Sequence, residues 1–207
     1  MVKFILVRHG FTTFNKEKRC QGQYDSPLDE IGIKQATHTA EHIVKAYHID
    51  AIYASDLSRT RDTAAPIAKR LELPVHTSKA LRELNNGTWE NRLISDIKLE
   101  EPEAFARREA SLGTFHFPNG ECFRDLYNRA SLCLSELAKR HDGETVLVVT
   151  HGGVIRVLAA VWKGIPIEQV QLVPDPRNTS ITVVEHENGK MKLLSFNDVS
   201  HLPKELL

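Results

Sequence analysis

Three short apolar runs, each breaking off into polar residues that can do chemistry, constrain this chain more than any other feature of its sequence. Residues 2–7 run into Arg8-His9-Gly10, Ala51–Ala54 into Ser55-Asp56, and residues 146–149 into Thr150-His151-Gly152-Gly153. A run that is apolar at successive positions offers no polar face to water, so it fits a strand covered on both sides, as in a parallel sheet. Between the runs lie helical periodicities. Across residues 31–47, Ala36, Ala40, Ile43, Val44 and Tyr47 fall on one face of an amphipathic helix. Residues 60–72 and 121–140 carry similar patterns, the second followed by Gly143 as a stop signal.

The expected fold is α/β, a mostly parallel central sheet with helices on both faces. Ile181–Glu187 and residues 191–196 flank Asn188-Gly189, a two-residue hairpin signal that adds strands at an edge. Residues 84–120, with Trp89, Pro102, Phe115, Phe117 and Pro118, are less regular. They are expected to form a cap-like helical insertion over the strand ends, within one domain spanning 1–207.

Composition removes several functions. The 27 Lys and Arg balance 27 Asp and Glu, so the cationic excess needed to track nucleic acid or anionic lipid is missing. Three cysteines, Cys20, Cys122 and Cys133, lack paired spacing, which predicts neither a disulfide framework nor a zinc cluster. The first apolar run meets Arg8 too soon for a signal segment or a membrane span, and a cytoplasmic protein is expected.

In parallel α/β sheets, ligands gather at the carboxyl ends of the strands. His9 and His151 both sit there, each followed by glycine that lets a ligand approach the backbone. A helix beginning after His151 aims free N–H groups into the same place, and Arg8 and Arg59 add guanidinium donors. This set suits an anion with several oxygens.

Those residues also carry a resemblance. Arg8-His9-Gly10 with Thr12, Asn15, Gln21-Gly22, Asp25, Pro27-Leu28, Gly32 and Gln35-Ala36 is similar to the opening of the histidine phosphatase superfamily, its phosphoglycerate-mutase-like branch. Ser55-Asp56-Leu57-Ser58-Arg59-Thr60, then Leu81-Arg82-Glu83-Leu84 with Gly87 and Trp89-Glu90, then Thr150-His151-Gly152-Gly153 and finally residues 178–182 resemble its later signatures, in order. The resemblance implies a phosphoglycerate-mutase-like fold and a metal-independent phosphomonoesterase without cofactor. It implies His9 as nucleophile, Arg8, Arg59 and His151 as phosphate ligands and Glu83 as proton donor. Asn15, Gly152 and the Gln21-Gly22 backbone would complete the phosphate site. A phosphoglycerate mutase and a catalytically silent phospho-ligand binder are the alternatives. The expected partner is a small phosphomonoester, and the chain a monomer or a homodimer formed by a paired edge strand.

Other chemistries fit less well. His38-Thr39-Ala40-Glu41-His42 matches the H-x-x-E-H zinc pattern, yet at about 100° per residue both histidines fall opposite the apolar face, which predicts exposure to solvent. No arginine stands six residues after any cysteine, so a C-x5-R phosphatase loop is excluded. Phe11 and Phe14 replace an acidic residue and a tryptophan common in the family. Phe11 is expected to form an apolar rim to the site, extended by Phe115 and Phe117.

Overall fold

The computed structural model describes residues 1–207. Its six strands are β1 (Val2–Arg8), β2 (Ala51–Ala54), β3 (Val75–Thr77), β4 (Thr145–Thr150), β5 (Ile181–Glu187) and β6 (Lys190–Asp198), ordered β3-β2-β4-β1-β5-β6. The β3, β2, β4 and β1 strands run parallel, while β5 returns antiparallel along β1 and pairs with β6. The turn between β5 and β6 places Asn188 and Gly189 at φ 51° and 75°, the left-handed pair a tight hairpin requires.

Period-two alternation explains why the central runs have no polar face. Val2, Phe4 and Leu6 of β1, with Val146 and Val148 of β4, feed one core; Ile5 and Val7, with Leu147 and Val149, feed the other. The second core is closed by α2 (Glu30–Ala46) and α3 (Ser58–Leu71), through Ala40, Ile43, Ala64 and Ile67. The first is covered by α6 (Phe123–Arg140) and α7 (Gly152–Trp162). Trp89, Ile97, Leu112 and Phe117 of the irregular segment join that same cluster, so the segment is packed into the body of the protein. It carries the short helices α4 (Ile94–Glu100) and α5 (Pro102–Ala110), while α1 (Thr13–Glu17) lies in the loop after β1. Truncating a buried β1 side chain such as Phe4 to alanine would cost about 3–5 kcal/mol.

Two expectations need correction, and one strand carries no sequence signal. The strand β3 was not foreseen: it is three residues long and largely exposed, so neither apolar run nor clean alternation marks it. His38 is exposed, but His42 is half-buried, its ring stacked on His201 with centroids 5.2 Å apart. The C-terminal segment folds back across α2 and covers that histidine, which a helical wheel cannot foresee. Phe11 does not line the same cavity as Phe117. Its N–H donates to Gln35 Oε1 (2.8 Å), and it borders a separate hollow with Leu202, Leu206 and Leu207. Phe117 does line the main cavity, while Phe115 lies behind it against Trp89, with centroids 5.5 Å apart. No helix is long and apolar enough to cross a membrane.

Candidate active site

Strands β1 and β4 are adjacent and in register, with Arg8 opposite Thr150, so the residues that follow emerge side by side. The rings of His9 and His151 are 5.2 Å apart in an edge-on arrangement, and both residues are buried. His9 Nδ1 lies 2.8 Å from the carbonyl oxygen of Gly10. A carbonyl only accepts, so Nδ1 carries the hydrogen and Nε2 keeps its lone pair. Burial, then the charges of Arg59 and Arg8, hold His9 well below the ordinary imidazole range, leaving it neutral at physiological pH. Burial lowers His151 likewise, and no protein group hydrogen-bonds to either of its ring nitrogens.

The guanidiniums arrive from two directions. Arg8 ends β1 and bonds the carbonyl of Pro176. Arg59, in the first turn of α3, is buried and donates to the carbonyls of Tyr24 (2.9 Å) and Gly22 (2.7 Å). Burial brings Arg59 down to about 10, still cationic at neutral pH. The Nε of each arginine is buried without a protein acceptor. One hydroxyl ties the two motifs together: Thr63 Oγ1 accepts from Gly10 N–H (2.9 Å) and donates to the Arg59 carbonyl (2.6 Å). Sequence reasoning missed Thr63; its place one helical turn after Arg59 was the available signal.

Glu83 stands across from these cations. Its carboxyl accepts from the N–H groups of Leu84 (2.8 Å) and Gly153 (3.0 Å), the second lying in the first turn of α7. Desolvation raises its pKa against those two bonds and the pull of Arg59 and Arg8. Gly153 permits this approach, because a Cβ there would lie 2.3 Å from Glu83 Oε1. Arg82, beside it, grips Asp56 with two bonds of 2.6 Å.

Of the remaining candidates, Gln21 and Gly22 line the cavity, and their N–H groups have no protein acceptor. Gly22, at φ 53°, leans against Glu90, whose Oε1 takes the N–H of Gln23 (2.8 Å) and of Asn86 (3.0 Å). Asn15 sits in the capping box of α1, where its Oδ1 accepts from Thr12 N–H (3.1 Å) and its Nδ2 remains as the donor toward an anion. Gly152 lines the cavity beside Arg8.

The cavity, about 220 Å³, runs from Arg8, Gly22, Glu83 and Gly152 to an apolar wall of Leu84, Trp89, Ile97, Phe105, Leu112, Phe117 and Phe123. Cys20 is also in the wall, but burial pushes its thiol up to about 11, so it stays protonated and is a poor nucleophile. Elsewhere, donor atoms of His116, Cys122 and Asp125 lie within 4.8 Å of one another. His116 and Asp125 are exposed and Cys122 is half-buried, and Asp125 is already engaged with Cys122 N–H (3.0 Å) in the capping box of α6.

A neutral imidazole, two guanidiniums and a carboxyl with a raised pKa at the carboxyl edge of an α/β sheet define an enzyme-like site built for a tetrahedral oxyanion. The chain belongs to the histidine phosphatase superfamily (branch 1), whose profile matches residues 4–199. It is 38% identical to a metal-independent phosphoserine phosphatase of Arabidopsis thaliana, over 98% of this chain and 84% of that one. A probable phosphoglycerate mutase, GpmB, of Yersinia pestis is 37% identical, over 98% of this chain and 95% of its own length. The solved structure of Bacillus stearothermophilus YhfR superposes with a TM-score of 0.92 at 34% identity, covering 97% of this chain and 99% of that one.

Proposed function

We propose that the protein is a metal-independent phosphomonoesterase working through a phosphohistidine on His9. One observation carries the reading: a buried imidazole with its Nε2 lone pair free and a carboxyl whose pKa is raised both lie in the field of the same two guanidiniums, Arg8 and Arg59. Nε2 of His9 attacks phosphorus as the ester P–O bond breaks, and the departing oxygen takes the bond's electron pair. Glu83 supplies the proton that neutralises that oxygen. Arg8, Arg59, His151 and the free N–H groups of Gln21, Gly22 and Gly152 hold the three equatorial oxygens, whose charge is greatest in the transition state. Arrival of a phosphate dianion favours protonation of His151, which then donates as well. In the second half, water attacks phosphorus, the Glu83 carboxylate takes its proton, and the P–N electron pair returns to Nε2 as inorganic phosphate forms.

The apolar wall favours a small phosphomonoester whose leaving group carries apolar surface. A phosphoglycerate mutase is the second reading, resting on the likeness to GpmB; it would return the phosphoryl group to the substrate instead of releasing it. The decisive test is turnover of a phosphomonoester panel in the presence of a chelator, with trapping of acid-labile phosphate on the protein. Wild type should turn over and label, His9→Ala should do neither, and phosphate should be released. Loss of wild-type turnover on chelation, or label surviving in His9→Ala, overturns the mechanism.

A further inference from the structure

Glu83 sits on an irregular stretch, between a 3₁₀ turn (Lys79–Leu81) and another (Gly87–Trp89), where no strand or helix ladder holds its backbone. Gln23 Nε2 reaches the Glu83 carbonyl (3.2 Å) and Thr150 Oγ1 that of Leu81 (2.8 Å), but most of the bonds to the stretch come from one side chain in α6. Arg129 Nη1 donates to the carbonyls of Ala80 (3.0 Å) and Arg82 (2.6 Å), and Nη2 to the carbonyl of Glu83 itself (2.7 Å). The guanidinium is fixed in turn by Glu121, which accepts from Nε (2.9 Å) and Nη2 (2.8 Å). The same Glu121 carboxylate takes the N–H of Asn85 (3.0 Å), two residues beyond Glu83. Arg129 and Glu121 therefore grasp the chain on both sides of the carboxyl. Their side chains are only 20% and 21% exposed, so the pair is largely shielded from competing water.

We infer that Arg129, oriented by Glu121, is a positioning residue for the proton donor. The inference rests on Glu83 acting as that donor. Arg129 bonds to the backbone, and its effect passes through the place where Glu83 presents its proton. Geometry makes this consequential: a displacement of about 1 Å at a reacting group can cost about a hundredfold in rate. A planar fork suits the task, since one rigid group reaches three carbonyls and a carboxylate at once; a lysine ammonium on a flexible stem cannot reproduce that spread.

The readout is dependence on the leaving group. An aryl ester such as p-nitrophenyl phosphate departs as a stable phenolate and needs little help from an acid, whereas an alkyl phosphate needs its proton. Arg129→Met and Arg129→Lys are compared with wild type, Glu83→Gln and the Arg129→Met/Glu83→Gln double variant on both esters. Arg129→Met should lose about a hundredfold in kcat/KM, which reports only steps up to phosphohistidine, on the alkyl ester and no more than about threefold on the aryl ester. Arg129→Lys should fall between it and wild type, and the double variant should match Glu83→Gln on the alkyl ester. Equal losses on the two esters, or additive losses in the double variant, overturn the inference. If Arg129→Met does not fold, the ratio of the two esters in Arg129→Lys decides in the same way. If Glu83→Gln itself shows no preference for the aryl ester, the donor role of Glu83 falls first.

Discussion

His9 and His151 give the fold a definite sensitivity to acid. They are 3% and 0% exposed, and burial, with the guanidiniums beside them, keeps both well below the ordinary value of 6.5. As pH falls through that value, each histidine of the unfolded chain takes up a proton and neither of the folded ones does. The unfolded state then binds more protons, so this stabilisation is complete above the unfolded pKa and declines below it. For one histidine that stays neutral when folded, going from about pH 7.5 to about pH 5.5 favours unfolding by about 1.4 kcal/mol. Two give about 2.8 kcal/mol, a large part of the roughly 5–15 kcal/mol that holds a domain together. The assay is urea unfolding at both pH values, in phosphate-free buffer, for wild type and the His9→Asn/His151→Asn variant. Every other titration is common to both proteins, so wild type should lose about 2.8 kcal/mol more than the variant. Losses equal within about 0.5 kcal/mol would refute the claim that the site holds these rings uncharged.

Thr63→Val removes the acceptor of the buried Gly10 N–H and should cost about 1–3 kcal/mol in urea unfolding, with a fall in kcat; unchanged values on both counts would exclude the tie between Gly10 and Arg59. Gly153→Ala places a methyl group against Glu83 Oε1 and should lower kcat on an alkyl phosphate by about a hundredfold with little change in KM. A rise in KM alone would mean that the carboxyl had not moved. Because a general acid must be protonated, kcat on an alkyl phosphate should fall as pH rises through the raised pKa of Glu83, and p-nitrophenyl phosphate should lack that alkaline limb. An identical limb on both esters would assign the titration to another group.

Strands β1, β2 and β4, the hairpin at Asn188-Gly189 and the helices after His151 and around Arg59 were legible because each is written locally, as an apolar run, a turn pair or a period. Placing Arg8, His9 and His151 together needed only the rule that such strands present their carboxyl ends on one edge. What escaped depends on contacts between distant segments. Phe11 is turned away by Gln35, whose Nε2 reaches the Leu206 carbonyl (2.8 Å), and His42 is covered by His201. The capping role of Asn15, whose Oδ1 accepts from the N–H and hydroxyl of Thr12, was not read from the sequence either. Arg129 had no motif at all, because its partners are carbonyl groups, which every residue possesses.

The place of β1 in the sheet also governs when the chain can fold as it is made. The strand that leads to His9 is made before the other five, yet its two neighbours are β4, which contributes residues 145–150, and β5, which contributes residues 181–186. Until those segments emerge, β1 has no partner on either side, and its apolar residues must be kept from other chains. Pairings of such long range are slow to close. No nascent fragment ending before β5 can give β1 both of its neighbours, so competence to bind phosphate should arise only after β5 has emerged.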